Sequence, residues 1–295
     1  MSDISKSMNE IADAVTDVMD ALMPRVSGPR GRVVDAMRYA CLGGGKRLRP
    51  FLLVSSADIF DAPRSGALRA AAALEMIHSY SLVHDDLPAM DDADLRRGRP
   101  SAHKEFDEAT AILAGDGLLT QAFEVMADPL THPDAGIRAR MIVALAEAAG
   151  PAGMVGGQMI DLSTERTGLD LEGITELQNL KTGALIRYAC VGGGMIGSAG
   201  AEDLEALAGY AEDLGLAFQI VDDLLDAFGT EEQLGKPAGQ DAEMDKATFV
   251  KLLGADGARA QAEKLVDRAC ERLERFETKA KPLRDVARFV LERSS

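Results

Sequence analysis

The chain has 295 residues, 46% hydrophobic, 27% charged and only 4% aromatic, with no tryptophan, values typical of a globular chain long enough to bury a continuous core. Its formal charge of −16 and pI near 4.7 argue against a nucleic-acid partner, because a phosphate backbone demands a surplus of Lys and Arg on one face. Cys41, Cys190 and Cys270 lack CxxC spacing and read as reduced, mostly buried thiols; a polar N-terminus and no apolar run near the roughly 20 residues of a membrane span predict a soluble, cytoplasmic protein.

Ala, Leu, Glu and Met are abundant and no run alternates with period two, so an all-α protein is predicted. Ile4, Met8, Ile11, Val15, Met19 and Leu22 recur at three- and four-residue intervals and give the first segment one apolar helical stripe. The run Gly43-Gly44-Gly45 breaks the pattern, and Pro50 restarts a helix in its first turn. Lys46, Arg47 and Arg49 therefore fall at a turn between helices. From Gly66 to Asp86 one helix becomes nearly all apolar around Ala71 to Ile77, as a buried central helix would. Pro88 disfavours a helical Leu87, which leaves Asp85 and Asp86 at a helix C-terminus, facing the negative end of the macrodipole unless a cation compensates. Further helices are predicted at Glu108 to Met126, Ile137 to Ala149, Leu171 to Met195, Glu202 to Phe228, Ala258 to Phe276 and Leu283 to Glu292. No linker separates two halves, so residues 1–295 read as a single domain.

Two acidic motifs stand out. In Gln219-Ile220-Val221-Asp222-Asp223-Leu224-Leu225-Asp226, Asp222 and Asp226 are four apart on one helical face, about 5–6 Å between Cβ atoms, among apolar neighbours. A divalent cation would relieve their repulsion; a solvated acidic stripe is the plainer alternative for this motif alone. In Asp85-Asp86-Leu87-Pro88-Ala89-Met90-Asp91-Asp92 an acidic pair is followed by another after a proline turn. Mg²⁺ takes one or two protein carboxylates and completes its octahedron with water and phosphate oxygens, which two sparse clusters suit. Neither motif has the glycine and glutamate of an EF-hand.

The basic residues complement them. Gly43-Gly44-Gly45-Lys46-Arg47-Leu48-Arg49-Pro50 is not a Walker loop, since no Ser or Thr follows Lys46, yet cations at 46 and 49 beside glycines suit an anion. Arg96-Arg97-Gly98-Arg99 lies a few residues past Asp91, as expected if Mg²⁺ and guanidinium groups share one diphosphate. His78, His84, His103 and His132 show no metal-ligand spacing, and Gly192-Gly193-Gly194 reads as a close helix contact.

With these residues in hand, the sequence resembles the trans-prenyltransferases of the polyprenyl synthetase family, and within it the short-chain bacterial farnesyl diphosphate synthases. The resemblance runs from Gly44-Gly45-Lys46-Arg47-Leu48-Arg49-Pro50 to Phe289-Val290-Leu291-Glu292-Arg293. It implies a helical bundle around a large central cavity, a likeness to isoprenoid synthases in fold, and a homodimer. It implies three Mg²⁺ ions: two on Asp85 and Asp91 with Asp86 in support, and a third on Asp222, with Asp223 and Asp226 acting through water. Lys46, Arg49, His78 and Arg97 match the isopentenyl diphosphate pocket. Arg96, Lys181 and Lys236 match the grip on the allylic diphosphate, Thr182 and Gln219 match polar groups near the reacting carbons, and Lys246 resembles a later lysine of the family. Tyr80, five residues before Asp85 and so roughly 7–8 Å deeper along a helix, with Ser81 beside it, matches the floor that limits product length. The implied reaction joins isopentenyl diphosphate to dimethylallyl and geranyl diphosphates, giving farnesyl diphosphate and pyrophosphate. A geranylgeranyl diphosphate synthase would use the same motifs. A non-catalytic isoprenoid-binding subunit would be expected to have lost metal carboxylates, and a terpene cyclase would have little use for Lys46 and Arg49.

Overall fold

Residues 3–164, 168–228 and 248–292 are described by a computed structural model, and two compact units emerge: Met1–Val54 with Ala62–Ile142, and Ser55–Asp61 with Val143–Ser295. The first unit holds α1 (Asp3–Leu22), α2 (Gly31–Leu42), the start of α3 (Leu48–Ile59), α4 (Arg64–Asp85), α5 (Ala102–Glu105), α6 (Glu108–Ala127) and the start of α7 (Ala135–Ala149). Helix α4 is its centre and packs on α1, α2 and α6. Every residue from Ala70 to Ile77 is buried, and small residues on both helices let α6 approach closely. A Cβ on Gly115 of α6 would fall 2.1 Å from the His84 ring of α4, so a bare backbone is needed there. Asp107 caps α6 by accepting the Thr110 N–H at 2.7 Å and is tied to Arg32 of α2 at 2.7 Å, satisfying one of the orphan donors of a helix start.

The second unit continues α7 and contains α8 (Met154–Thr164), α9 (Leu171–Gln178), a π-helical segment (Asn179–Gly183), α10 (Ala184–Ile196), α11 (Ala201–Phe228), α12 (Phe249–Arg272), a 3₁₀ segment (Glu274–Ala280) and α13 (Lys281–Glu292). Helix α11 is the centre, with α10 and α12 against it. Gly194 closes on α11 as expected of the glycine run, since a Cβ there would lie 2.8 Å from Leu204 and from Leu207. Buried Asp213 of α11 receives Arg268 at 2.9 Å and Arg272 at 2.8 Å from α12, and Tyr210 Oη donates to the Leu283 carbonyl at 2.7 Å.

The all-α expectation is met, with three departures in detail. Where one helix was expected from Leu171 to Met195, the π segment interrupts it between α9 and α10. Where no strand was expected, β1 (Leu95–Arg96) and β2 (Arg99–Pro100) pair antiparallel around a turn whose central residues, Arg97 and Gly98, both have positive φ (56° and 73°), the pattern of a tight hairpin. Helix α12 starts at Phe249, earlier than the expected Ala258, with a break at Gly254. Cys41 and Cys190 are buried and Cys270 is partly so, all unbridged; burial pushes the Cys41 and Cys190 thiols up to about 12. Among the described residues no helix is long and apolar enough to cross a membrane.

Candidate active site

The first acidic motif is built by the end of α4. Asp85 is its last residue and Asp86 the cap position, where carbonyls have no partner further along the helix. The loop folds back to supply partners: the Asp91 N–H donates to the Asp85 carbonyl at 2.9 Å and the Ala93 N–H to the Asp86 carbonyl at 3.2 Å. This returns Asp91 to the helix end that carries Asp85. Asp86 is buried at 2% exposure and is gripped by Arg96, whose Nε lies 3.0 and 3.2 Å from its two oxygens. Burial raises the Asp86 carboxyl above its ordinary range, and Arg96 offsets part of that. Burial pulls the Arg96 guanidinium down, but Asp86, with Asp85 and Asp91 behind it, more than restores it. Three carboxylates and one guanidinium thus share one locus.

The glycine-rich turn lies within the same unit. Lys46 is exposed, Arg47 buried and Arg49 half-buried, so adjacent cations have opposite surroundings. Arg49 Nη1 sits 3.5 Å from His78 Nε2. Removal from water, and then Arg49 and three further arginines, hold His78 well below the usual imidazole range, so His78 faces Arg49 as a neutral hydrogen-bonding ring. Arg97 donates to the Gly44 carbonyl, and burial, then Arg47 and Arg96, depresses its guanidinium despite Glu75. The hairpin therefore presents Arg96 to the carboxylates and Arg97 to the glycine turn. On α4, Tyr80 is 6% exposed, its ring edge-on to His84 at 5.8 Å, and burial with Asp85 nearby pushes its phenol up to about 12. Ser81 Oγ donates to the His78 carbonyl at 2.9 Å.

The second acidic motif occupies α11. Asp222 is half-buried, Asp223 and Asp226 are buried, and Gln219 precedes them by one turn. Asp223 Oδ2 accepts the Phe249 N–H at 2.8 Å and so anchors the first residue of α12. Lys181 and Thr182 lie on the π segment, a geometry found disproportionately at functional sites. Lys181 Nζ is 2.5 Å from Asp161 Oδ2 of α8, and a Cβ on Gly215 would lie 3.4 Å from Gly183 Cα. That contact sets the π segment against α11 one turn before Gln219. Lys236 and Lys246 lie outside the described residues.

The donors in both motifs are carboxylate oxygens, the ligands of a hard cation, and among the described residues no group of three or more His, Cys, Asp or Glu forms a ready-made cage. Carboxylate oxygens suit Mg²⁺, which needs few protein ligands and draws the rest from water and phosphate. Sequence reasoning missed Glu75, Asp161 and the π segment. Of these only Glu75 left a signal, a lone charge inside the apolar run Ala70 to Ile77.

Comparison with known proteins decides the family, because the polyprenyl synthetase model matches residues 31–285, through both units. The chain belongs to the polyprenyl synthetase family. It is 45% identical over 259 residues to a farnesyl diphosphate synthase of Geobacillus stearothermophilus, covering 87% of this chain and 86% of that one. It is 43% identical over 286 residues to geranylgeranyl pyrophosphate synthase 9 of Arabidopsis thaliana, covering 95% and 78%. Its structure aligns with an FPP/GFPP synthase from Zymomonas mobilis at a TM-score of 0.89 and 44% identity, covering 98% of both chains. As a polyprenyl synthetase with the isoprenoid synthase fold, the chain is a short-chain prenyltransferase that elongates prenyl diphosphates in trans configuration.

Proposed function

We propose that the chain makes farnesyl diphosphate, joining isopentenyl diphosphate first to dimethylallyl and then to geranyl diphosphate with release of pyrophosphate. The observation that carries the product length is Tyr80: a buried aromatic ring on α4, five residues before Asp85. Its bulk closes the path that a growing chain would follow along the helix, and its packing on His84 keeps the ring from swinging aside.

Asp85, Asp91 and Asp222 are the residues that would hold Mg²⁺, three ions in all, with Asp86, Asp223 and Asp226 supporting them. Bound there, Mg²⁺ would neutralise negative charge that builds on the diphosphate as its C–O bond breaks. Arg96 and Lys181 bind the allylic diphosphate, joined by Lys236 and Lys246. Lys46, Arg49 and Arg97 hold the isopentenyl diphosphate, and neutral His78 adds a hydrogen bond without charge. Thr182 and Gln219 present polar groups toward the reacting carbons. The isopentenyl double bond attacks the allylic carbon, and the departing pyrophosphate takes the proton lost from the new chain, so no side-chain base is required. The protein works as a homodimer of single catalytic domains.

A twenty-carbon product is the second reading, supported by the similarity to the Arabidopsis geranylgeranyl pyrophosphate synthase. Chromatography of products from dimethylallyl and isopentenyl diphosphates separates the two: a dominant C15 product is expected, and a dominant C20 product would replace the first reading with the second. Tyr80→Ala is expected to lengthen the product, and an unchanged profile would remove Tyr80 as the floor.

A further inference from the structure

Glu75 and His78 of α4 are spaced i and i+3 and share one helical face. Both meet the stretch that leads from α2 into the first turn of α3. Glu75 Oε1 accepts from Arg47 Nη1 at 2.6 Å, and His78 lies beside Arg49. The other guanidinium arm of Arg47 donates to the Cys41 carbonyl near the end of α2. Arg47 and Glu75 are 3% and 2% exposed, so neither serves solubility. Nor is stability a sufficient account, because the cost of desolvating two charges offsets most of their attraction and an apolar pair often does as well.

The backbone around Arg47 supplies the missing account. Arg47 has φ 47°, and Gly44 and Gly45 have φ 89° and 129°, the left-handed region that a residue with a side chain rarely enters. This contorted path turns Arg47 inward while Lys46 stays outside, and the Arg47 carbonyl then accepts the Phe51 N–H at 3.0 Å to start α3. From the other side, the Arg97 guanidinium occupies the space that a Cβ on Gly45 would need, 2.6 Å away, and bonds the Gly44 carbonyl. The turn is thus pinned from beneath by Arg47 and Glu75 and from above by Arg97.

We infer that the Arg47–Glu75 pair is a positioning device for the isopentenyl diphosphate pocket: it holds the 43–49 turn in the shape that aims Lys46, Arg49 and Arg97 at one diphosphate. This rests on the reading of that pocket given under Proposed function. Arg47 and Glu75 do not touch the substrate; they act through the turn. Loosening the pair therefore weakens isopentenyl diphosphate binding and spares the allylic side.

The test compares wild type, Glu75→Gln and the double variant Arg47→Met/Glu75→Leu. For Glu75→Gln, the KM for isopentenyl diphosphate is expected to rise tenfold or more, with kcat and the KM for geranyl diphosphate within twofold of wild type. Calorimetric titration with isopentenyl diphosphate alone should show the same loss. The double variant removes both buried charges, so it covers the case in which Glu75→Gln alone fails to fold. It is expected to unfold no lower than wild type yet keep the raised KM. A folded double variant with wild-type KM, or equal losses for both substrates, would overturn the positioning role. A wild type that neither binds nor condenses isopentenyl diphosphate overturns the functional reading and this inference with it, whereas an active wild type insensitive to Glu75→Gln overturns the inference alone.

Discussion

Asp85, Asp86 and Asp91 are one acidic motif in the sequence, and their partners divide them. Asp86 is buried and spanned by the Arg96 fork, so its carboxylate is committed to orienting a guanidinium, whereas Asp85 and Asp91 are brought together by the returning loop. Substitution should reveal that division. Asp86→Asn is expected to lower kcat/KM about 10–100-fold, the usual cost of losing a group that orients a functional residue, mainly through the KM for the allylic diphosphate, with the half-saturating Mg²⁺ concentration little changed. Asp85→Asn should instead raise the Mg²⁺ requirement and lower kcat by about 10²-fold or more. Steady-state kinetics over a Mg²⁺ titration distinguishes them, and matching Mg²⁺ profiles would refute the distinction. The same lesson holds for Lys46, Arg47 and Arg49. Three cations in four residues look alike on paper, and only Glu75, distant in sequence, makes Arg47 a buried structural ion. Pairing across 28 residues leaves no local pattern to read.

At the scale of elements, legibility follows periodicity. The stripe from Ile4 to Leu22 and the apolar run on α4 announce α1 and the buried central helix, and both are found nearly as expected. The π segment was illegible, because nothing in the spacing of Leu171 to Met195 marks an extra residue in the turn; the segment packs against α8. A Cβ on Gly157 would lie 2.3 Å from the Lys181 nitrogen and 2.7 Å from its Cα, backbone atoms that cannot rotate away. Gly157→Ala is therefore expected to destabilise the protein by about 1–3 kcal/mol, as overpacking does, and to lower kcat by displacing Lys181, measured by denaturant unfolding and single-substrate kinetics. Stability and rate both at wild-type level would show that the segment yields freely. Helix α6 offers a pH-dependent case. The Arg32 pairing, followed by hydrogen bonds from Thr110, lowers the Asp107 carboxyl from 3.8 to about 2, so its contribution is present above about pH 4 and is lost as pH falls toward 2. Asp107→Asn should melt below wild type at pH 6, and that gap should close by pH 2; a gap that persists would assign the effect to something other than the charge.

For the molecule as a whole, the question is whether metal belongs to the fold or only to the reaction. The buried helices α4 and α11 are held by apolar packing and by ion pairs such as Asp213 with Arg268 and Arg272. A structural metal would be one whose loss unfolds the chain, and packing and ion pairs of this kind stand without it. Chelation of divalent ions is therefore expected to abolish condensation while shifting the melting temperature by no more than about 2 °C, the effect of roughly 1 kcal/mol in a chain of this size. Ligand should reverse the picture. With a net charge of −16, pyrophosphate alone meets repulsion from the same carboxylates that Mg²⁺ would neutralise, so neither partner alone should stabilise the protein much. Together, at about 100 times their dissociation constant, they should add about 2.7 kcal/mol and raise the melting temperature by several degrees. A drop of ten degrees on chelation would make the metal structural, and equal stabilisation by pyrophosphate without Mg²⁺ would leave the basic residues alone as the diphosphate site.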